Sequence, residues 1–209
     1  MLDANGILPP DKLLVPDART DATLEALQSS VVEINLKSNI PESVKNEFQR
    51  AKDLIIFSFF KYEFLTLAAR SAVFAYEAAL KLGYVQALGN KAILKRGSEI
   101  IQEFTNPSYR EISESMQRMK KSHDKSEKIT VNDTYFPKNM DQIEKWLIKD
   151  GMSESQLLRR EAGMYLRNRM AHTEELFILP FCNALGALRA SVHAINNIFE
   201  HYPSKTLHS

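Results

Sequence analysis

The sequence predicts an all-α fold, a helical bundle that carries an N-terminal extension and a short charged insertion. Between Pro41 and Pro107 the chain has no further proline, so the residue that interrupts helices most strongly is absent from a long stretch. Apolar residues recur there at helical spacing, and the last part of the chain repeats the pattern. The predicted bundle occupies residues 41–202, between an extension (1–40) and a tail (203–209).

The extension begins with a proline-rich segment of little periodicity, which favours an extended lead-in over residues 1–19. Thr20 or Asp21 is a suitable N-cap for a short helix through Gln28. Residues 31–36 alternate between apolar and polar types, which indicates a short strand. The sequence leaves open whether the extension packs on the bundle, swaps between protomers or stays loose.

A first bundle helix starts at Pro41 and breaks near Ser58, and a second runs from Tyr62 to Leu82 and ends at Gly83. The second helix is the most apolar part of the chain. It carries one narrow polar stripe: Glu63, Thr66, Arg70, Glu77 and Lys81. The stripe is interpreted either as a solvated edge or as a place where Arg70 or Glu77 lines a site or pairs with a charge across the core.

Shorter helices and a loop are predicted in the middle of the chain. Helices are predicted over Lys91–Phe104, Pro107–Lys121 and Asp141–Lys149, with a loop or short β segment over Ile129–Pro137 and a break at Gly151. The charge-rich stretch Arg118–Lys128 has no core face. It is interpreted as a solvated helix end and loop, with a nucleic-acid contact as the alternative.

The next predicted helix runs from Ser153 to Leu166, with Ser153 as N-cap and Gln156 completing a capping box. Four arginines fall within eleven residues of this helical region: Arg159, Arg160, Arg167 and Arg169. Some of these face solvent only, but the cluster is the best candidate for a local phosphate-binding surface in this chain.

The last helix is predicted to begin near Pro180. Its apolar residues form an a/d seam: Phe181, Leu185, Leu188, Val192, Ile195 and Phe199. The seam is explained by packing within the core, by a helix-to-helix dimer contact, or by both.

Composition excludes several classes of function. The formal net charge is +1, so any attraction to nucleic acid must be local. Cys182 is the only cysteine, which rules out an internal disulfide and fits a cytoplasmic protein. No signal-peptide pattern or apolar span of membrane length is present. Glycine-rich phosphate loops, Gly-x-Ser-x-Gly and metal-ligand spacings are also missing, so neither a metal nor a cofactor is expected.

The strongest motif is the string from Arg167 through Asn168 to His172. On one unbroken helix, residues five apart point about 140° away from each other. If the helix stops near Met170, His172 can turn back toward Arg167. A cation, a carboxamide and an imidazole then converge on one small anionic group.

The pattern Arg-Asn-x-x-x-His near the end of a late helix resembles the signature of the HEPN superfamily. These are small all-helical domains of bacterial toxins, abortive-infection proteins and CRISPR-associated ribonucleases. The alanine-rich run Lys61–Lys81 is similar in style to their long early helix, and the resemblance covers Pro41–Tyr202. Residues 1–40 and the stretch around Arg118–Pro137 have no counterpart.

The resemblance implies a metal-independent endoribonuclease of the toxin or phage-defence type. Arg167, Asn168 and His172 would be catalytic at a homodimer cleft, and Arg159, Arg160 and Arg169 would bind RNA. An antitoxin or regulatory protein could hold the activity in check. Two alternatives stay open: a non-catalytic helical module that binds RNA or a protein partner, and a motif that only caps carbonyls or pairs with Glu174 or Glu175.

Overall fold

Helices dominate the structure, a computed structural model that describes residues 14–89, 91–122, 128–158 and 178–203. Within these residues the helices are α1 (Leu24–Val32), α2 (Glu42–Phe57), α3 (Phe64–Ala87), α4 (Tyr109–Ser122), α5 (Met140–Lys149) and α6 (Phe181–His201). The strands are β1 (Lys91–Arg96), β2 (Glu99–Thr105) and β3 (Ile129–Val131). None of the described helices is long and apolar enough to cross a membrane.

The predicted all-α class is wrong, because the three strands form one antiparallel sheet in the order β2-β1-β3. The predicted helix over Lys91–Phe104 is a β-hairpin. Arg96 pairs with Glu99, so Gly97 and Ser98 alone connect the strands, and Gly97 has φ +57°. A glycine at the first central position suits the tight turns that match strand twist. The structure is therefore mostly helical with a small sheet.

The described residues divide into two compact units. One falls within Met1–Tyr76 and Leu158–His193, and the other within Glu77–Leu157 and Ala194–Ser209. In the first unit, α1 packs on α2. Thr23 is the N-cap of α1, and its side chain accepts a hydrogen bond from Ala26 N at 3.2 Å. The strand predicted over residues 31–36 is wrong, because α1 continues to Val32.

The described part of the extension packs on the turn between α2 and α3. Asp17 N donates to Phe59 O at 2.8 Å, and Tyr62 N donates to the Asp17 carboxylate at 3.1 Å. Thr20 Oγ1 donates to Ser58 O at 3.1 Å. The predicted break near Ser58 is confirmed, and Asp17 and Thr20 bind the turn there by backbone and side-chain hydrogen bonds.

In the second unit, α3 continues past Gly83, so the predicted helix end there is wrong. A Cβ on Gly83 would lie 2.5 Å from Ile198 Cγ2 on α6. The glycine is therefore explained by a close approach of two helices and not by a C-cap. Beyond it, the buried Tyr84 makes edge-on contacts with three aromatic rings: Tyr109, Phe136 and Trp146.

Other predicted elements are found close to their expected bounds. Helices α4, α5 and α6 and strand β3 are confirmed, and Gly151 follows α5 with φ +119°. The capping box at Ser153 forms, but only a single 3-10 turn follows it before Leu157 becomes extended. The helix predicted from Ser153 is therefore wrong at its start, and the rest of its range lies outside the described residues.

The apolar seam of α6 contributes to the core, as one interpretation predicted. Leu185 and Leu188 are buried in the first unit, and Ile195 and Phe199 in the second. Phe181 and Val192 are half-buried. Core packing thus accounts for most of the seam, and a dimer contact along it stays a prediction.

Candidate functional site

The residues that carry the predicted chemistry lie outside the part of the chain that the structure describes. They are Arg159, Arg160, Arg167, Asn168, Arg169 and His172. Their roles stay predictions, and the geometry comes from the described residues on either side of them.

Both flanks of this motif segment are bound to α3. On the N-terminal side, Leu158 N donates to the hydroxyl of Tyr76 at 3.2 Å. On the C-terminal side, Leu179 N donates to Thr66 Oγ1 at 2.9 Å. The two acceptor residues are ten positions apart in the helix, which corresponds to about 15 Å along the axis of α3. The two ends of the motif segment are therefore attached to α3 at two different positions.

Between these two anchors, α3 presents an exposed face formed by Leu67, Arg70 and Phe74, here called the α3 platform. Their spacing of three and four residues places them side by side on one face. Leu67 is 43% exposed and Phe74 is 42% exposed. The guanidinium carbon of Arg70 lies 5.2 Å from the centre of the Phe74 ring, within the range of a cation–π contact.

The acidic residue at the start of the same stripe is neutralised locally. Arg19 donates to Glu63 at 2.7 Å and to Asp17 at 2.7 Å. The hydrogen bond from Arg19 is the main cause that holds the pKa of each carboxyl below its usual value, and for Asp17 the amide of Tyr62 adds to it. Both carboxylates are therefore ionised at neutral pH and already have a cationic partner.

A cavity of about 310 Å³ lies beside this network. Its lining combines the apolar Leu27, Leu65 and Phe181 with hydroxyls that are already used. Thr20 donates to Ser58 O, and Ser58 Oγ donates to Ile55 O at 2.6 Å. Arg19, Asp21 and Tyr62 also line the cavity, and the guanidinium of Arg19 is already paired with Asp17 and Glu63.

The other features predicted from the sequence supply few candidate catalytic or ligand-binding groups among the described residues. Residues 14–89, 91–122, 128–158 and 178–203 contain no group of three or more His, Cys, Asp or Glu side chains that could hold a metal ion. His193 and His201 are exposed. In the charged stretch, Arg118 donates to Ser115 Oγ at 3.0 Å, and residues 123–127 lie outside the described part.

The α3 platform is a feature that the sequence did not predict as a whole. The polar stripe identified Arg70, but it did not include the apolar Leu67 and Phe74. One signal was available: these two apolar residues flank Arg70 at three and four residues, on the face of the polar stripe. Exposed apolar residues beside a lone cation mark a candidate interaction surface.

Comparisons of the chain with models of protein families, with curated proteins and with solved structures gave no match.

Proposed function

We propose that this protein is a metal-independent endoribonuclease that cleaves RNA by attack of the 2′-hydroxyl on the adjacent phosphate. The observation that carries the proposal is the motif Arg167-Asn168-x-x-x-His172. It combines a titratable imidazole, a fixed cation and a carboxamide within six residues. These are the groups that this reaction needs when no metal ion assists it.

Each residue has a role that follows from its chemistry. His172 removes the proton from the 2′-hydroxyl or donates one to the leaving 5′-oxygen, since imidazole titrates near neutral pH. Arg167 stabilises the negative charge that develops on the phosphate oxygens. Asn168 orients the imidazole or a phosphate oxygen through its amide. The products are a cyclic phosphate and a 5′-hydroxyl.

One motif supplies a single histidine, and the reaction uses both a base and an acid. A homodimer that brings two motifs to one cleft would supply both. We therefore propose a symmetric dimer as the active form, with an antitoxin or another regulatory protein as a partner that limits its activity. The cytoplasm is the proposed compartment, and the exposed free thiol of Cys182 supports a reducing environment.

The fold supports the proposal less directly than the sequence suggested. The all-helical context was part of the resemblance, and the β1–β2–β3 sheet lies within residues 41–202. The support that remains is the motif itself and the attachment of both its flanks to the long, alanine-rich helix α3. A non-catalytic RNA-binding module is the second candidate, since the exposed pair of Arg70 and Phe74 offers binding groups without an acid or a base.

The test is cleavage of labelled single-stranded RNA and tRNA in EDTA by wild type, His172→Ala and His193→Ala. His193 is exposed on α6, so His193→Ala controls for the loss of any histidine. We expect cleavage in EDTA by wild type and His193→Ala, and a rate reduced by about 10²–10⁴ in His172→Ala. Circular dichroism and sedimentation establish that each variant is folded. Undiminished cleavage by folded His172→Ala would refute the proposal.

A further inference from the structure

We infer that the α3 platform (Leu67, Arg70 and Phe74) binds single-stranded RNA, an inference that rests on the proposed function in taking RNA as the ligand. The platform combines a cation for phosphate with an aromatic ring for a base. It would hold the substrate strand while the motif acts on it.

The charge of Arg70 is available for an anion. In the described part of the chain, no carboxylate forms a salt bridge with it, and the ring of Phe74 is its one recorded partner. Three other arginines of the described surface are paired with carboxylates: Arg19 with Asp17 and Glu63, Arg50 with Glu47 and Arg110 with Glu114. A guanidinium fork suits phosphate oxygens because two N–H groups can bond two oxygens at once.

Phe74 and Leu67 supply the apolar part of the surface. Proteins bind single strands by stacking unpaired bases on aromatic rings or on arginine planes. In a duplex the bases are stacked on each other and are not free to cover Phe74. The platform therefore favours unpaired RNA, and cleavage is expected in loops and single-stranded regions.

Charge complementarity favours RNA over a second copy of this chain as the occupant. In a two-fold contact across the platform, the same surface meets itself, so Arg70 would approach its own copy. The nearest acidic residue of the stripe in this unit, Glu63, is already engaged by Arg19 at 2.7 Å. The contact would bury two like charges, and among the described stripe residues of this unit no carboxylate is left to offset them, which is costly. A polyanion supplies the missing charge.

The platform lies on the helix that binds both flanks of the motif segment. Along the axis of α3, Arg70 is about 6 Å from Thr66 and about 9 Å from Tyr76, which bind these flanks. Around the axis, Arg70 is about 40° from Thr66, whereas the buried Tyr76 points about 120° away from it. The platform therefore shares a face of α3 with the Thr66 attachment only.

The experiment measures binding separately from cleavage, by fluorescence anisotropy with the full-length His172→Ala chain. Labelled single-stranded RNA and a blunt RNA duplex serve as probes. Arg70→Gln and Phe74→Leu are introduced into this background. Arg50→Gln is the matched control, because it removes one arginine charge from an exposed helix position in the same unit.

For single-stranded RNA we expect Arg70→Gln to weaken binding about tenfold and to lower the slope of log K against log salt by about 0.7 for each lost phosphate contact. Phe74→Leu should weaken binding about 5- to 100-fold without changing that slope. Arg50→Gln should bind as the parent chain does, and the duplex should bind more weakly to the parent chain and respond little to Phe74→Leu.

Several results would overturn the inference. One is an unchanged affinity for single-stranded RNA in Arg70→Gln and Phe74→Leu. Another is a loss of affinity in Arg50→Gln as large as in Arg70→Gln, which would mean that any surface arginine contributes equally through its charge. Sedimentation gives a further test: if either platform variant converts a dimer to a monomer, the face is a protomer contact and not an RNA surface. Absence of RNA binding to the parent chain also refutes it.

The two proposals can fail independently. If the wild type binds single-stranded RNA through Arg70 but does not cleave it, the platform stands and the endoribonuclease proposal falls. If cleavage depends on His172 but the platform variants bind and cleave RNA as wild type does, the platform inference is refuted and the endoribonuclease proposal is supported.

Discussion

The close approach of α3 and α6 at Gly83 gives the sharpest prediction about stability. Substituting Gly83→Ala adds one methyl group whose carbon would lie 2.5 Å from Ile198 Cγ2 and 4.0 Å from Tyr202 Cδ2. Favourable contacts between carbon atoms lie at about 3.5–4.0 Å, so the first of these distances is about 1 Å too short. Ile198 is fully buried, and the neighbouring structure must move.

The magnitude follows from two opposing effects. Overpacking a well-filled core costs about 1–3 kcal/mol, and the upper end applies because a β-branched side chain in a helix has one strongly preferred rotamer. Replacing glycine by alanine within a helix contributes about 1 kcal/mol in the other direction. The net expectation is a loss of about 2 kcal/mol in the free energy of unfolding, or about 4–8 °C in Tm for a chain of this size.

The assay is chemical and thermal denaturation of wild type, Gly83→Ala, Ile198→Ala and the double variant. Because Ile198→Ala removes Cγ2, Gly83→Ala should become neutral or stabilising in that background. Gly186→Ala on α6 is the control: a Cβ there meets nothing within 4 Å, so it should stabilise the protein by about 1 kcal/mol. The argument fails if Gly83→Ala is as stable as wild type, or if Ile198→Ala leaves its cost unchanged.

Three further substitutions test other parts of the structure by denaturation. Asp17→Asn should cost about 1 kcal/mol at pH 7, since it weakens charge-assisted bonds from Arg19 in a pair that solvent partly screens. The pKa of Asp17 is lower in the folded state than the unfolded value of about 3.9. The contribution of the Asp17 carboxylate to the free energy of unfolding is therefore complete above about pH 5 and shrinks as the pH falls toward the folded-state pKa. If wild type and Asp17→Asn differ in stability by the same amount at pH 7 and pH 3, this reasoning is wrong. Asn132→Ala should lower the free energy of unfolding by about 2 kcal/mol, because the side chain accepts a hydrogen bond from Ile93 N at 2.8 Å and the residue has φ +46°. Asn132→Gly should lower it less, because glycine tolerates the positive φ but also lacks the hydrogen bond. Gly97→Ala should cost about 1 kcal/mol because of φ +57°, and an unchanged stability would mean that the hairpin tolerates another turn.

Helices with long periodic patterns could be predicted from the sequence, and the sheet could not. The period of the apolar residues in α2, α3 and α6 extends over four or more turns, so chance matches are rare. The segment of β1 and β2 is short and mixes charged with apolar residues, which fits a helix as well as two strands. The decisive signal was Gly97-Ser98, a pair typical of two-residue hairpin turns, and the helical interpretation gave it no weight.

Gly83 shows a related limit of sequence reasoning. A glycine after a long apolar helix is usually a C-cap, and the prediction ended α3 there. The structure uses the missing side chain in a different way, for the approach of Ile198. The partner lies far away in the sequence, so no local pattern could distinguish the two uses.

The polar stripe of α3 shows what the structure adds to the candidate site. The sequence could not decide whether its charges were paired, because salt bridges depend on neighbours in space. In the structure, Glu63 bonds Arg19 and Glu77 bonds Lys81 at 3.0 Å. Among the described residues, Arg70 has no such carboxylate. Arg70 is therefore the one charge of the stripe without a carboxylate partner among the described residues. It lies, along the axis of α3, between the residues that bind the two flanks of the motif segment, and the proposed RNA-binding surface is centred on it for this reason.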